Sequence, residues 1–162
     1  MNPCPCGYYG SNEKECKCHQ EQIKKYINKI SGPLLDRIDL HIETTKVEYK
    51  KLESTTKEEP SKEIQKRVNK ARNIQNERYL QDKIFCNAQM DSKLIQKYCK
   101  LDLKSKTILE KAFNNLGLSA RAYTRILKVA RTIADLEGAE NIKINHISEA
   151  IQYRTLDRKY WK

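Results

Sequence analysis

The chain has 162 residues, a length for one domain or for one domain with part of another, and its 32 Lys and Arg against 21 Asp and Glu leave a formal charge of +11. That excess points to an acidic ligand, while 38% hydrophobic and 33% charged residues permit a modest, mostly helical core and place the chain above the disordered range. No apolar run approaches the ~20 residues of a membrane span, and the N-terminus lacks the apolar stretch of a secretory signal, so the expectation is a soluble, cytoplasmic protein with no membrane partner.

Met1 to His19 holds four of the six cysteines and two prolines, a loop stapled by something. Gln20 to Ile30 reads as a short helix with Ile23, Tyr26, Ile27 and Ile30 on one face, ended by Ser31, Gly32 and Pro33. After a turn at Leu34 to Arg37, Ile38, Leu40 and Ile42 alternate with Asp39, His41 and Glu43, the period of a half-buried strand. Thr44 to Glu59 is charged and polar, Pro60 follows, and residues 44–60 read as an interdomain linker.

Beyond it the pattern is helical throughout. Ser61 can cap a helix to about Gln81 with Ile64, Val68, Ala71 and Ile74 as its buried stripe, and Asp91 begins a short helix through Tyr98. A third spans about Asp102 to Asn115 and stops at Gly117; a fourth opens at Ser119, runs to Leu136 and stops at Gly138. Asn145 caps the last, from His146 to about Arg154. Residues 61–162 thus read as a bundle of about five helices, set apart from residues 1–43.

The cysteines form two tight pairs, Cys4 with Cys6 and Cys16 with Cys18. In a reducing compartment such a cluster points to a metal before a disulfide, and four thiolates can surround one structural zinc tetrahedrally. Each pair is C-x-C, so His19 could replace one thiolate; reduced thiols in a loop are the plain alternative. Cys86 and Cys99 stand alone and read as small buried hydrophobes.

On the helix from Ser119, Arg121, Thr124, Arg125, Lys128, Arg131, Thr132 and Asp135 fall on one side and Tyr123, Ile126, Leu127, Ala130, Ile133 and Ala134 on the other. Arg121 lies in the first turn, where backbone amides and the helix dipole add to its charge in favour of a phosphate; a solvated basic face is the alternative. Arg37 either projects a guanidinium toward a partner or pairs with Asp36 or Asp39.

Three stretches together resemble the YifB/ComM family of magnesium-chelatase-like AAA+ ATPases of bacteria: MNPCPCG from Met1, ISGPLLDRIDLHI from Ile30, and LSARAYTRILKVARTIADL from Leu118. The resemblance covers nearly the whole chain and implies the C-terminal part of a longer protein, because the phosphate-binding Walker A loop and the Walker B acids of the family lie upstream. The implied fold is mainly α: a C-terminal helical lid bundle at 61–162, preceded at 1–43 by a partial α/β AAA+ core segment with a Cys-rich loop. By the same resemblance Asn2 looks like the sensor 1 residue, Arg37 like the arginine finger that reaches a neighbouring subunit's nucleotide, and Arg121 like the sensor 2 arginine, with Arg125 as runner-up. It further implies ATP and Mg2+ as the ligands of the whole protein, neighbouring subunits of a homo-oligomeric ring, a hexamer, as partners, and DNA processing in competence, including branch migration. A free-standing basic zinc module that binds nucleic acid by charge is the alternative.

Overall fold

The computed structural model describes residues 2–11, 14–44, 47, 49, 53 and 58–154. It is mainly helical. The elements, in chain order, are α1 (Gln20–Ile27), α2 (Gly32–Leu35), α3 (Ser61–Arg78), a 3-10 turn (Asn87–Gln89), α4 (Ser92–Tyr98), α5 (Leu103–Leu116), α6 (Ala120–Glu137) and α7 (Ile144–Gln152). No described helix is long and apolar enough to cross a membrane.

Local chemistry sets most of these boundaries. Asp91, Asp102 and Ser119 each accept a hydrogen bond from the backbone N–H three residues on, at 2.9, 2.7 and 3.1 Å, which satisfies amides the first turn leaves open. α5 and α6 stop at Gly117 and Gly138, whose φ of 54° and 76° is the left-handed conformation that glycine adopts without a Cβ clash. α7 begins earlier than Asn145 predicts: Lys143 precedes its first turn, and the Lys143 N–H donates to His146 Nδ1 at 3.0 Å. With Nδ1 accepting, His146 carries its ring proton on Nε2 and donates it to Glu137, joining the ends of α6 and α7.

α6 is the central helix. Ala122, Ile126, Leu127, Ala130 and Ala134 line its buried side, and Tyr79, Met90, Ile95, Cys99, Leu109, Leu118, Ile142, Ile147 and Ala150 close around them. A separate small core holds Cys4, Ile23 and Ile27.

Three expectations fail. The alternating segment from Ile38 to Glu43 is not a strand, and among the described residues there is no strand, only an isolated bridge between Leu101 and Ile142. A strand needs a neighbour along its backbone; here the His41 N–H instead donates to the Tyr153 carbonyl at 2.9 Å, and Ile38, Leu40 and Ile42 remain 41, 45 and 67% exposed. Second, α3 buries Ala71 and Gln75, while Ile64 and Val68 of the expected stripe are exposed together with every residue from Ser61 to Lys70. Only its C-terminal half packs on the bundle. Third, Ser31, Gly32 and Pro33 do not merely end α1: Ser31 Oγ accepts the Leu34 N–H at 3.4 Å and starts α2. The linker expected at 44–60 falls largely outside the described residues.

Candidate functional site

The cysteine loop is built by its turns. The Gly7 N–H bonds the Cys4 carbonyl at 3.1 Å, with Gly7 at φ 83°, so the chain reverses between the two members of the first pair. A Cβ at Gly7 would meet the Asn2 side chain at 3.3 Å, which places Asn2 against this turn. The loop is seated on α1 through Cys4, which is fully buried with Ile23 and Ile27.

Cys4, Cys6, Cys16 and Cys18 come together with all four sulfurs within 4.8 Å of one another. Cys4 Sγ lies 3.4 Å from Cys6 Sγ and 3.7 Å from Cys16 Sγ, and Cys6 Sγ lies 3.5 Å from Cys16 Sγ. A zinc held at about 2.3 Å from four sulfurs sets them about 3.8 Å apart, so these three separations are already close to the edge length of such a tetrahedron. The Tyr9 N–H donates to Cys4 Sγ at 3.3 Å, which fixes this sulfur against the loop backbone. The backbone of Tyr8 leads the influences that bring the Cys6 thiol down to about 6, against burial and with help from the Cys4, Cys18 and Cys16 thiols. For Cys16 the Cys18 backbone acts downward, but burial and the Cys6, Cys4 and Cys18 thiols carry it up to about 12. The first negative charge is welcome in this cluster and the second is resisted, a conflict that a central cation removes. His19 lies outside the cluster, exposed, at the N-cap of α1.

Arg37 is exposed, two residues past the end of α2. Neither of its two neighbouring acids takes it as a partner. Asp36 is 3.5 Å from Arg154 Nη2, and Asp39 is paired with Arg125 across 86 residues of sequence.

The polar side of α6 divides along its length, which the helical pattern alone did not reveal. Arg121 is exposed in the first turn, and among the described residues no acid pairs with it. Arg125 is tied to Asp39, and Lys128 Nζ donates to the Ala88 carbonyl at 2.8 Å. Arg131 and Asp135 are not on a solvated face at all: they are 2 and 0% exposed. Asp135 accepts from both terminal nitrogens of Arg78, from Asn87 Nδ2 at 2.8 Å and from Arg131 Nε at 3.0 Å, while the Arg131 fork caps the carbonyls of Glu140 and Ala139 at 2.7 and 2.6 Å. This network is structural, and the i,i+4 spacing of Arg131 and Asp135 was its one signal in the sequence. The sequence carries no such signal for Arg154.

Known families match along both stretches. Residues 58–154 match the family described as magnesium chelatase, subunit ChlI C-terminal, and residues 1–52 match magnesium chelatase, subunit ChlI. The chain is 46% identical over 98% of its length to the competence protein ComM of Haemophilus influenzae, and 43% identical over 98% to the uncharacterized protein YifB of Salmonella typhimurium. It is 29% identical over 94% of its length to the uncharacterized protein Rv2897c of Mycobacterium tuberculosis. In each case it spans 30% of the relative's length. A Cys-rich loop seated on α1 and a capped helical bundle, each falling within its own family match, make this chain a member of the magnesium chelatase ChlI family.

Proposed function

We propose that this chain is the C-terminal part of a magnesium-chelatase-like AAA+ ATPase, in which residues 1–43 end the core, residues 44–60 link, and residues 61–162 form the helical lid. In this reading Arg37 is the arginine finger offered to a neighbouring subunit of a ring, Arg121 the lid arginine on the chain's own nucleotide, and Asn2 the polar residue that orients the attacking water. Catalysis of phosphoryl transfer rests on positioning and on cations placed around the γ-phosphate, which is the work that fixed guanidinium groups do. Alone, the chain carries no Walker A loop and should not hydrolyse ATP.

The carrying observation is the pairing around Arg37. Asp36 and Asp39 are engaged by Arg154 and Arg125, so the ion pair that would make Arg37 an ordinary surface residue is missing among the described residues. A guanidinium held on a bonded turn, exposed and unpaired, suits a ligand on another molecule. Arg125, being paired, is less suited than Arg121 to a nucleotide. The cysteine cluster is proposed to hold one structural zinc, since four thiolates close the coordination sphere to substrate. The net charge of +11, with the similarity to a protein named for competence, supports DNA as the polymer on which the whole protein acts.

The test is Arg37→Ala in the full-length protein. Turnover of ATP should fall by about 10³- to 10⁵-fold while nucleotide binding is retained. Normal turnover would show Arg37 to be a surface residue without a catalytic part.

A further inference from the structure

We propose that Arg154 is a positioning residue for Arg37, a clamp from the end of the lid that holds the finger turn in place; the proposal rests on the reading of Arg37 as an arginine finger. Arg37 is the third residue of a turn closed by the Ile38 N–H donating to the Leu35 carbonyl at 3.0 Å. Arg154, two residues beyond α7 and only 2% exposed, grips that turn at both ends. Its Nη1 donates to the Ile38 carbonyl and, at 3.5 Å, to the Leu35 carbonyl; its Nη2 reaches the Asp36 carboxylate at 3.5 Å. The adjacent Tyr153 carbonyl accepts the His41 N–H at 2.9 Å, so two consecutive residues of the lid fix the segment on either side of Arg37.

The chemistry explains why an arginine stands here. The Ile38 carbonyl lies past the end of α2, and the Leu35 carbonyl, which already accepts the Ile38 N–H, has a second lone pair to offer. The planar fork of a guanidinium spans two carbonyls and a carboxylate at once and stays charged when buried, whereas a lysine ammonium is a single point on a flexible stem. Burial of the fork against backbone, with one carboxylate beside it, turns a flexible loop into a fixed one. Tilting or withdrawal of α7 would therefore move Arg37. The lid of one subunit would in this way set the finger presented to the next.

The experiment is a double-mutant cycle in the full-length protein with Arg154→Ala, Arg154→Lys and Arg37→Ala. A displacement of the finger by about an ångström is expected to lower kcat by about 10²-fold. KM for ATP should stay near the parent value, because the finger acts on the neighbour's nucleotide in the transition state. In the Arg37→Ala background, Arg154→Ala should cause no further loss. Losses that multiply, or a lysine variant with parental kcat, would overturn the clamp while leaving the finger intact. Normal turnover of Arg37→Ala alone would instead sink the finger reading. Should the alanine variant fail to fold, Arg154→Lys in the 162-residue chain is read by hydrogen exchange: the Ile38 amide should exchange faster while the amides of α6 are unchanged. Unchanged protection at Ile38 overturns the clamp.

Discussion

Arg78 at the end of α3 donates both of its terminal nitrogens to Asp135, a fully buried carboxylate 57 residues away on α6. Arg131 and Asn87 bond the same carboxylate, so one negative charge serves two guanidinium groups, and the side chains of three segments meet at one point. Burial acts to lower Arg78, but its bonds to Asp135 hold it above its ordinary value; at Arg131 burial prevails and lowers it.

Asp135→Asn should therefore cost about 3–5 kcal/mol, the range for leaving a buried charge without its partner. The variant keeps the side-chain shape and removes the one acid that, among the described residues, pairs with Arg78 and Arg131, so the loss is electrostatic rather than a cavity. Denaturant unfolding of the chain should show a lower midpoint with an unchanged slope. A shift worth less than about 1 kcal/mol would mean that the network adds little and that the apolar core alone joins α3 to α6.

How much of this was legible beforehand depended on whether the signal was local. Asp91, Asp102, Ser119, Gly117 and Gly138 mark helix ends through chemistry confined to one turn, and the structure uses each of them so. The pairing of Cys4 and Cys6 with Cys16 and Cys18 was also legible, because a short loop can fold back in few ways. The errors lie where an answer depends on a distant segment. Alternation from Ile38 to Ile42 carries the period of a strand, but period says nothing about whether a neighbour is there to pair with it. Arg131 and Asp135 fell on the charged side of the α6 wheel and are nonetheless buried, since Arg78 arrives from another helix to compensate them. Likewise spacing offers Asp36 and Asp39 the nearby Arg37, whereas Arg154 and Arg125 engage them from distant segments.

Acid should destabilise the bundle through identifiable carboxylates. The Ser105 side chain and backbone lower Asp102, with Lys104 assisting; the Tyr98 hydroxyl and then Lys97 lower Asp82; His146 and Asn145 lower Glu137. Each has a folded pKa below its unfolded value. Their stabilisation is therefore complete above the unfolded carboxylate range of about 4 and is lost as pH falls through the lower folded values. Asp102→Asn separates capping from titration, because asparagine caps as well as aspartate does. Its melting temperature at pH 7 should match the parent, Asp102→Ala should melt lower, and the asparagine variant should lose less stability between pH 5 and 3. An acid profile identical to the parent would show that the Asp102 charge contributes nothing.

Metal removal should unfold one part of the chain and spare the other. The bundle has its own core, from Tyr79 to Ala150, whereas among the described residues the cysteine loop and α1 bury only Cys4, Ile23 and Ile27. Three side chains bury little area to set against the entropy of ordering the loop and α1, and in the proposed zinc site closure of the four thiols around a cation would supply the difference. Purified chain should carry near one zinc. Chelation should make the amides of Cys4 to Ile27 exchange rapidly while α4 to α7 keep their protection, and zinc but not magnesium should restore the slow pattern, since thiolates select the softer ion. A fragment of residues 61–162 should keep the protection of α4 to α7 for the same reason, although Arg154 loses the carbonyls of Leu35 and Ile38. A metal-free chain with undiminished protection from Cys4 to Ile27 would show that the cysteines are reduced thiols that pack without an ion. Collapse of the bundle on chelation would instead place both parts in one cooperative unit and abolish the boundary at 44–60.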